Sequence, residues 1–432
     1  MRMGKRAFGA GMAVALTASL FGGAVTAQDD VVILSTQLNP DAERAKFQNE
    51  IMGGYEGGFE IVPADAGVFE DTIRAEAETG QGDVSVTAAL HGQLSTLGAE
   101  DLLMDLSDLA AELDVSESFL ALGKLGTDQQ LYIPWMQATY IMAATADALE
   151  YLPEGADQNA LTWDQVVEWG ASLEEATGDR LLGFPFGERG LRHRLLQGYL
   201  YPSFTGKVNN DFATQPGVDM WNWLLGAWEY TNPQSTTYSF MQEPLLSGEV
   251  QVAWDHTARL IDALNADPEK FVALPSPAGP GGRAFMPVIA GLAIPKTAPD
   301  PEAAKNVIRH LLDPETQATT LEQVSFFPVI SGEVPAEVGP GVQAQMDAIV
   351  AQTNAADALP AMLPSGLGDQ GGAYSEVFQD ALKAIVVDGG DPATITAEYA
   401  PTLQEIFDST GAECWTPDEI VEGQPCVVGV PE

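Results

Sequence analysis

Apolar positions in the first part of the chain alternate between two periods. Val31 to Ser35 is a compact run rich in branched side chains, the pattern of a short buried strand. Asn39 and Pro40 read as the cap and first residue of a helix whose inner side is Ala45, Phe47 and Ile51 and which stops at Gly53-Gly54. Phe59 to Val62 is a second strand. Phe69, Ile73 and Ala77 recur at i, i+4 and i+8, the spacing of one helix face. Asp83 to Thr87 is a third strand. Strand and helix in regular alternation predict a largely parallel sheet covered by helices.

The pattern continues downstream. Leu102 to Leu113 reads as a turn and a helix, Leu131 to Trp135 as a strand interrupted by Pro134, and Tyr140 to Ala144 as another strand. Thr162-Trp163-Asp164-Gln165 has the form of a capping box. Strands return at Val250 to Trp254 and Phe271 to Leu274, followed by a loop rich in proline and glycine at 275–282. The stretch IAGLAIPKTAPDPEAAKNVIRHL then gives a strand, a proline corner and a helix. Asp300 is its cap, Pro301 its first residue, and Ala304, Val307, Ile308, Leu311 and Leu312 its apolar stripe. Lys305 and Arg309, four apart, fall on a solvated face, and Asp313-Pro314 repeats the start signal.

Composition adds a compartment. Arg2, Lys5 and Arg6 precede an apolar stretch from Ala7 to about Phe21, and Val25-Thr26-Ala27 precedes Gln28. This is the layout of a cleavable secretory signal over residues 1–27, which directs the chain to the periplasm. The chain carries 62 Asp and Glu against 19 Lys and Arg, a formal charge of −43. Such a surface repels nucleic acid and anionic lipid. Hydrophobic residues make up 45%, enough for packed cores. The two cysteines, Cys414 and Cys426, lie near the C-terminus, where export predicts a disulfide closing a short tail loop.

The search for chemistry returns little. There is no G-x-S-x-G elbow, no H-E-x-x-H and no phosphate loop. The four histidines, His91, His193, His256 and His310, have no ligand spacing, so neither a metal nor a cofactor is expected. Gly366 to Gly371 fits G-x-G-x-x-G but follows a loop-like segment instead of a first strand, which argues against a dinucleotide site. It reads as a flexible loop or as a backbone approach to a ligand.

Six segments in order resemble the family 1 extracellular solute-binding proteins of ABC importers, the group that includes maltose-binding proteins. They are VVILSTQLNPDAERAKFQNE, GDVSVTAALHGQLSTLGAEDLLMDLSDL, LYIPWMQATYIMAATADAL, TWDQVVEWGASL, LLSGEVQVAWD and the long stretch from Pro275 to Gln317. Where family members carry a Tyr-Asn pair in the third segment, this chain has Ala143-Ala144. The resemblance implies an α/β, two-lobed periplasmic-binding-protein fold of type II. Each lobe is a sheet covered by helices, with the ligand cleft between them. Residues 28–135 with 271–328 would form lobe 1, 136–270 with 329–412 lobe 2, and 413–432 a tail, with crossings near 135, 270 and 330.

The implied function is capture of a small solute, a carbohydrate, by a monomer that presents it to the membrane permease of an ABC transporter without turnover. Two alternatives stay open: the same fold taking a polyamine or an organic anion, and a secreted hydrolase. Sugar sites combine planar polar groups with stacked aromatics. Candidates at strand ends and crossings are Gln37, Thr87, His91, Trp135, Gln137, Phe186, Arg189, Asp255, His256, Arg259 and Tyr374. Packing competes with binding at each: Trp135 and Phe186 suit a core equally well, and Arg189 could pair with Glu188. N-terminal sequencing of exported protein should begin at Gln28; retained Met1 would refute the signal.

Overall fold

The computed structural model describes residues 30–331, 337–362 and 364–429, so the signal at 1–27 lies outside the described residues. In chain order the strands are β1 (Val31–Ser35), β2 (Phe59–Pro63), β3 (Val86–Leu90), β4 (Ile133–Ala138), β5 (Tyr140–Thr145) and β6 (Leu182–Gly183), then β7 (Val252–His256), β8 (Phe271–Leu274), β9 (Arg283–Phe285), β10 (Val288–Ala293) and β11 (Ala358–Pro360). One sheet has the order β2-β1-β3-β10-β4 and a second the order β6-β7-β5-β8; β9 and β11 form a separate pair. β1 is parallel to β2 and β3, whereas β10 runs antiparallel to both its neighbours. Every residue of β5 and of β10 is buried, as expected for central strands covered on both faces. The protein is thus two α/β lobes.

The joint between the lobes is short. β4 ends at Ala138 in the first sheet and β5 begins at Tyr140 in the second, leaving Thr139 alone between them. The Thr139 hydroxyl lies 2.9 Å from the Tyr199 hydroxyl and donates to the Met286 carbonyl at 3.1 Å. The chain returns to the first sheet between Leu274 and Val288. Beside β4, Gln137 and Phe327 exchange two backbone hydrogen bonds, of 3.0 and 2.6 Å. Phe271–Leu274, expected with the first lobe, instead pairs with β5 in the second sheet. An isolated apolar run does not record which sheet it joins.

Helix starts follow the chemistry of their caps. The Thr162 hydroxyl accepts from the Gln165 N–H at 3.2 Å, and the Gln165 side chain accepts from the Thr162 N–H at 2.9 Å. Asp300 accepts from the N–H groups of Glu302 and Ala303, and Asp313 from that of Glu315. In helix Pro301–Leu311 the residues Ala304, Val307, Ile308 and Leu311 are buried. Its cations pair at the surface: Lys305 with Glu302, and Arg309 with Glu112. Three expectations shift. β3 starts at Val86, not Asp83; only Ser107–Ala110 is helical in the 102–113 region; and the first helix starts at Asp41. Asn39 does not cap it; its amide donates to the Thr36 carbonyl at 3.2 Å. Pro134 sits in β4 where the register with β10 slips, because proline has no N–H to give the ladder.

Cys414 and Cys426 form the disulfide expected of the tail. Asp418, inside that loop, accepts from the N–H groups of Val208 and Asn209 at 2.9 and 2.7 Å, so the tail is fastened to the second lobe. Cys414, Asp418 and Cys426 lie within reach of one another, but sulfurs bonded to each other offer no thiolate to a metal. Trp415 packs against Tyr374, which is 1% exposed and donates to Asn209 Oδ1 at 2.9 Å. Trp135, also 1% exposed, packs edge-on to Phe47. Both aromatics are therefore core residues and not stacking platforms for a solute. Ile308→Ala should cost roughly 2–5 kcal/mol, and Trp135→Ala and Tyr374→Ala roughly 3–5 kcal/mol, in denaturant unfolding. Solute affinity of the molecules that remain folded should be unchanged.

Candidate functional site

Strand direction decides what meets at the joint. The C-terminal ends of β1, β3 and β7 point to it, delivering Thr36 to Asn39, then Leu90, Gly92 and Gln93, and His256 with Arg259. Because β5 and β10 run antiparallel to these strands, they bring their first residues, Tyr140 and Val288, to the same place. Phe326 arrives from the third crossing, and His193 and Arg194 from helix Arg192–Leu195. The result is a pair of cavities between the lobes. One, of about 210 Å³, is lined by Thr36, Gln37, Asn39, Glu43, Tyr140, His256, Arg259 and Phe326. The other, of about 390 Å³, is lined by Glu70, Gly92, Gln93, Thr96, the segment from Pro364 to Asp369, Gly371, Gly372 and Ser375. Leu90, His193 and Arg194 belong to both walls.

The first lobe's wall is set by a hydrogen-bond chain. Gln37 Nε2 donates to Thr36 Oγ1 at 3.1 Å, which donates to Gln93 Oε1 at 2.8 Å; that oxygen also accepts from the Leu90 N–H at 3.1 Å. The ends of β1 and β3 are thereby locked together. Glycines shape the larger cavity: a Cβ on Gly92 would come within 2.3 Å of the Pro364 carbonyl oxygen, so the loop can lie directly on the helix only because Gly92 lacks one.

The second lobe's wall is cationic. Arg259 Nη1 donates to the Ser239 carbonyl at 3.3 Å, and its guanidinium lies 4.4 Å from the Phe240 ring centre. Burial, followed by the fields of Arg259 and Arg194, pushes His256 down to about 3. Burial and the same arginines hold His193 well below the usual histidine range. Both imidazoles are therefore neutral near pH 7. Burial raises Glu43, opposed by Arg259, and pushes Asp255 up to about 6. In the larger cavity burial outweighs Arg74 and pushes Glu70 up to about 7; Arg74 is shared with Glu100 and Asp71.

Of the residues expected at the site, Gln37, His256 and Arg259 line the smaller cavity. Asp255 stands behind them, fully buried, accepting from the N–H groups of Met241 and His256 at 2.9 and 2.7 Å. The others lie elsewhere. Thr87 is a sheet residue donating to the Ala293 carbonyl, and Gln137 Nε2 donates to the Pro328 carbonyl at a crossing. His91 is bound to the Tyr132 hydroxyl at 2.7 Å and faces an adjoining groove. Phe186 is stacked between Phe184 and Trp228 in a core. Arg189 is exposed and lines neither cavity. The aromatics at the cavity are Tyr140 and Phe326 instead of Trp135 and Tyr374. His193 and Arg194 were missed, though Arg192-His193-Arg194, a basic cluster in so acidic a chain, was the available signal.

Two α/β lobes with polar side chains gathered in cavities at their joint are an arrangement suited to holding a small solute. Residues 42–318 match the family model described as bacterial extracellular solute-binding protein, and the chain belongs to that family. Several solved structures share the fold. Maltose-bound MalE3 of T. maritima is 18% identical with a TM-score of 0.69, covering 87% of this chain and 99% of its own. UgpB of Mycobacterium tuberculosis, in complex with glycerophosphocholine, is 17% identical with a TM-score of 0.68, covering 89% and 100%. The GacH receptor of Streptomyces glaucescens, which takes acarbose, is 16% identical with a TM-score of 0.68, covering 88% and 98%. No curated protein sequence matches the chain. Among the described residues no helix is long and apolar enough to cross a membrane.

The carboxyls predict a pH dependence. Burial favours the protonated form of Glu70, so its contribution to stability is complete below about pH 4.5 and is lost as pH rises through about 7. The loss is at most roughly 3 kcal/mol. Urea unfolding of the unliganded protein should give lower stability at pH 8 than at pH 5. Glu70→Gln, which mimics the protonated carboxyl, should flatten that slope; an unchanged slope would assign it to other groups.

Proposed function

We propose that the protein captures a carbohydrate in the cavities at the lobe joint and delivers it, unaltered, to the permease of an ABC transporter. The observation that carries this reading is the convergence of polar groups from the strand ends of both lobes on two adjoining cavities at the joint, where the open sheets of such folds take their ligands. Thr36, Gln37, Asn39 and Gln93 offer the donors and acceptors that sugar hydroxyls require, and Phe326 and Tyr140 offer apolar surface for C–H faces. One face of Tyr140 is already stacked on Trp254 at 4.8 Å, so the aromatic with a side to give is Phe326. Maltose in MalE3 and acarbose in GacH support the ligand class.

The rest of the reading follows the family. Lobes closing over the solute would give the permease a loaded form to recognise. Removal of residues 1–27 would release the mature monomer to the periplasm. We take the first lobe as 28–138 with 288–326, the second as 139–287 with 327–412, and 413–432 as the tail. A thermal-shift screen of the mature protein against sugars, polyamines and organic acids tests the reading. A sugar should raise the melting temperature and be recovered chemically unchanged; turnover would point to a hydrolase, and a shift with polyamines alone would refute the carbohydrate. Phe326→Ala should weaken sugar binding about tenfold, the equivalent of about 1.4 kcal/mol, by calorimetry.

A further inference from the structure

The two arginines of the cavity wall are not equivalent. Arg259 has company: its field and those of Glu43 and Asp255 act on one another, and Ser239 and Phe240 hold its guanidinium. Arg194 is half-buried and lines both cavities. Among the described residues its side chain makes no hydrogen bond or ion pair, and no carboxylate is among the groups that set its charge. Burial accordingly pushes its pKa down. A cation partly withdrawn from water without a partner is costly. The chain has 62 Asp and Glu, and Glu43, Glu70 and Asp369 line the same cavities, yet none of them forms an ion pair with Arg194.

The cavity around Arg194 is built for a negative group. The first turns of helices Ala66–Thr79, His91–Ala99 and Gly371–Leu382 contribute Gly67, Gly92 with Gln93, and Gly371 with Gly372 to its wall. Helix starts present N–H groups and a partial positive charge, although at Gly371 the N–H is taken by the Gly368 carbonyl of the turn that leads into the helix. The Cβ positions of Gly67, Gly368, Gly371 and Gly372 open onto empty space, so no side chain covers the backbone there. Two carboxyls share the wall. Glu70 is pushed up to about 7 and is tied to Arg74, and Asp369 is exposed and accepts from Gln370 Nε2 at 3.1 Å. Neither balances Arg194.

We propose that the solute is a carbohydrate bearing an anionic group, a carboxylate or a phosphate, and that Arg194 holds that group in the larger cavity while the hydroxyls occupy the smaller one. This rests on the carbohydrate reading given above. A charged hydrogen bond to a carboxylate or phosphate oxygen supplies the counter-charge that the protein withholds.

Calorimetry at low salt with glucose, glucuronate and glucose 6-phosphate, and with maltose, digalacturonate and trehalose 6-phosphate, tests it. At least one anionic sugar should bind about tenfold or more tighter than its neutral counterpart, and the carboxylate and phosphate arms tell which group is held. Arg194→Gln should bring the ratio of anionic to neutral affinity down to about one, whatever it does to the neutral sugars themselves. Unliganded Arg194→Gln should melt no lower than the parent, since the side chain has no partner to lose, so lost binding is not lost fold. Binding of neutral sugars alone, or a preference that survives Arg194→Gln, overturns the proposal and leaves the carbohydrate reading standing. Binding of neither class overturns both.

Discussion

The structure turns on one residue of backbone. Two sheets meet at Thr139, and the strands on either side of it are buried from end to end or nearly so. A joint this short holds the strand ends of both lobes close together, and the Thr139 hydroxyl ties it to Tyr199 and Met286. The paired backbone of Gln137 and Phe327 adds a second tie beside the first. Much of the candidate site, from Thr36 and Gln37 to Leu90, Tyr140, His256, Val288 and Phe326, lies within a residue or two of a strand end or a crossing, and helices supply the rest. The cavity is therefore a consequence of topology: where strands of opposite direction alternate, the C-terminal ends of some and the N-terminal ends of others share one side.

Electrostatics gives that space its character. The chain as a whole is strongly acidic, and most of its acids face water, where they are cheaply solvated. The cavity inverts this sign. Two arginines stand there with two histidines kept neutral by burial and by those same arginines, and the carboxyls behind them are pushed toward their protonated forms. Such a region opposes the folded state's stability, and its counter-charge is best supplied by a ligand. The tail lies apart from this. Its disulfide and Asp418 fasten the C-terminus to the second lobe and take no part in the cavity wall.

The sequence by itself determined what depends on neighbours in the chain. The caps at Thr162, Asp300 and Asp313 were legible because a capping side chain reaches backbone only two or three residues away. The stripe from Ala304 to Leu311 was legible because helical period fixes which residues share a face. The order of segments carried the family, and with it two lobes. Gln37, His256 and Arg259 could be named because they follow strands, and strand ends are where such sheets bind. What only the tertiary structure decided was every choice between core and cleft. Trp135 and Tyr374 lie on elements next to the joint, and nothing local says that Phe47 and Trp415 cover them. Phe271–Leu274 is an apolar run that either sheet would accept, and its pairing with β5 is a long-range fact. Arg194 gave no signal of its own; its lack of an ion pair, with Glu43, Glu70 and Asp369 in the same walls, exists only because folding brings those walls together. Burial and charge pairing are properties of surfaces that meet in space, and a sequence records neither until the chain has closed on itself.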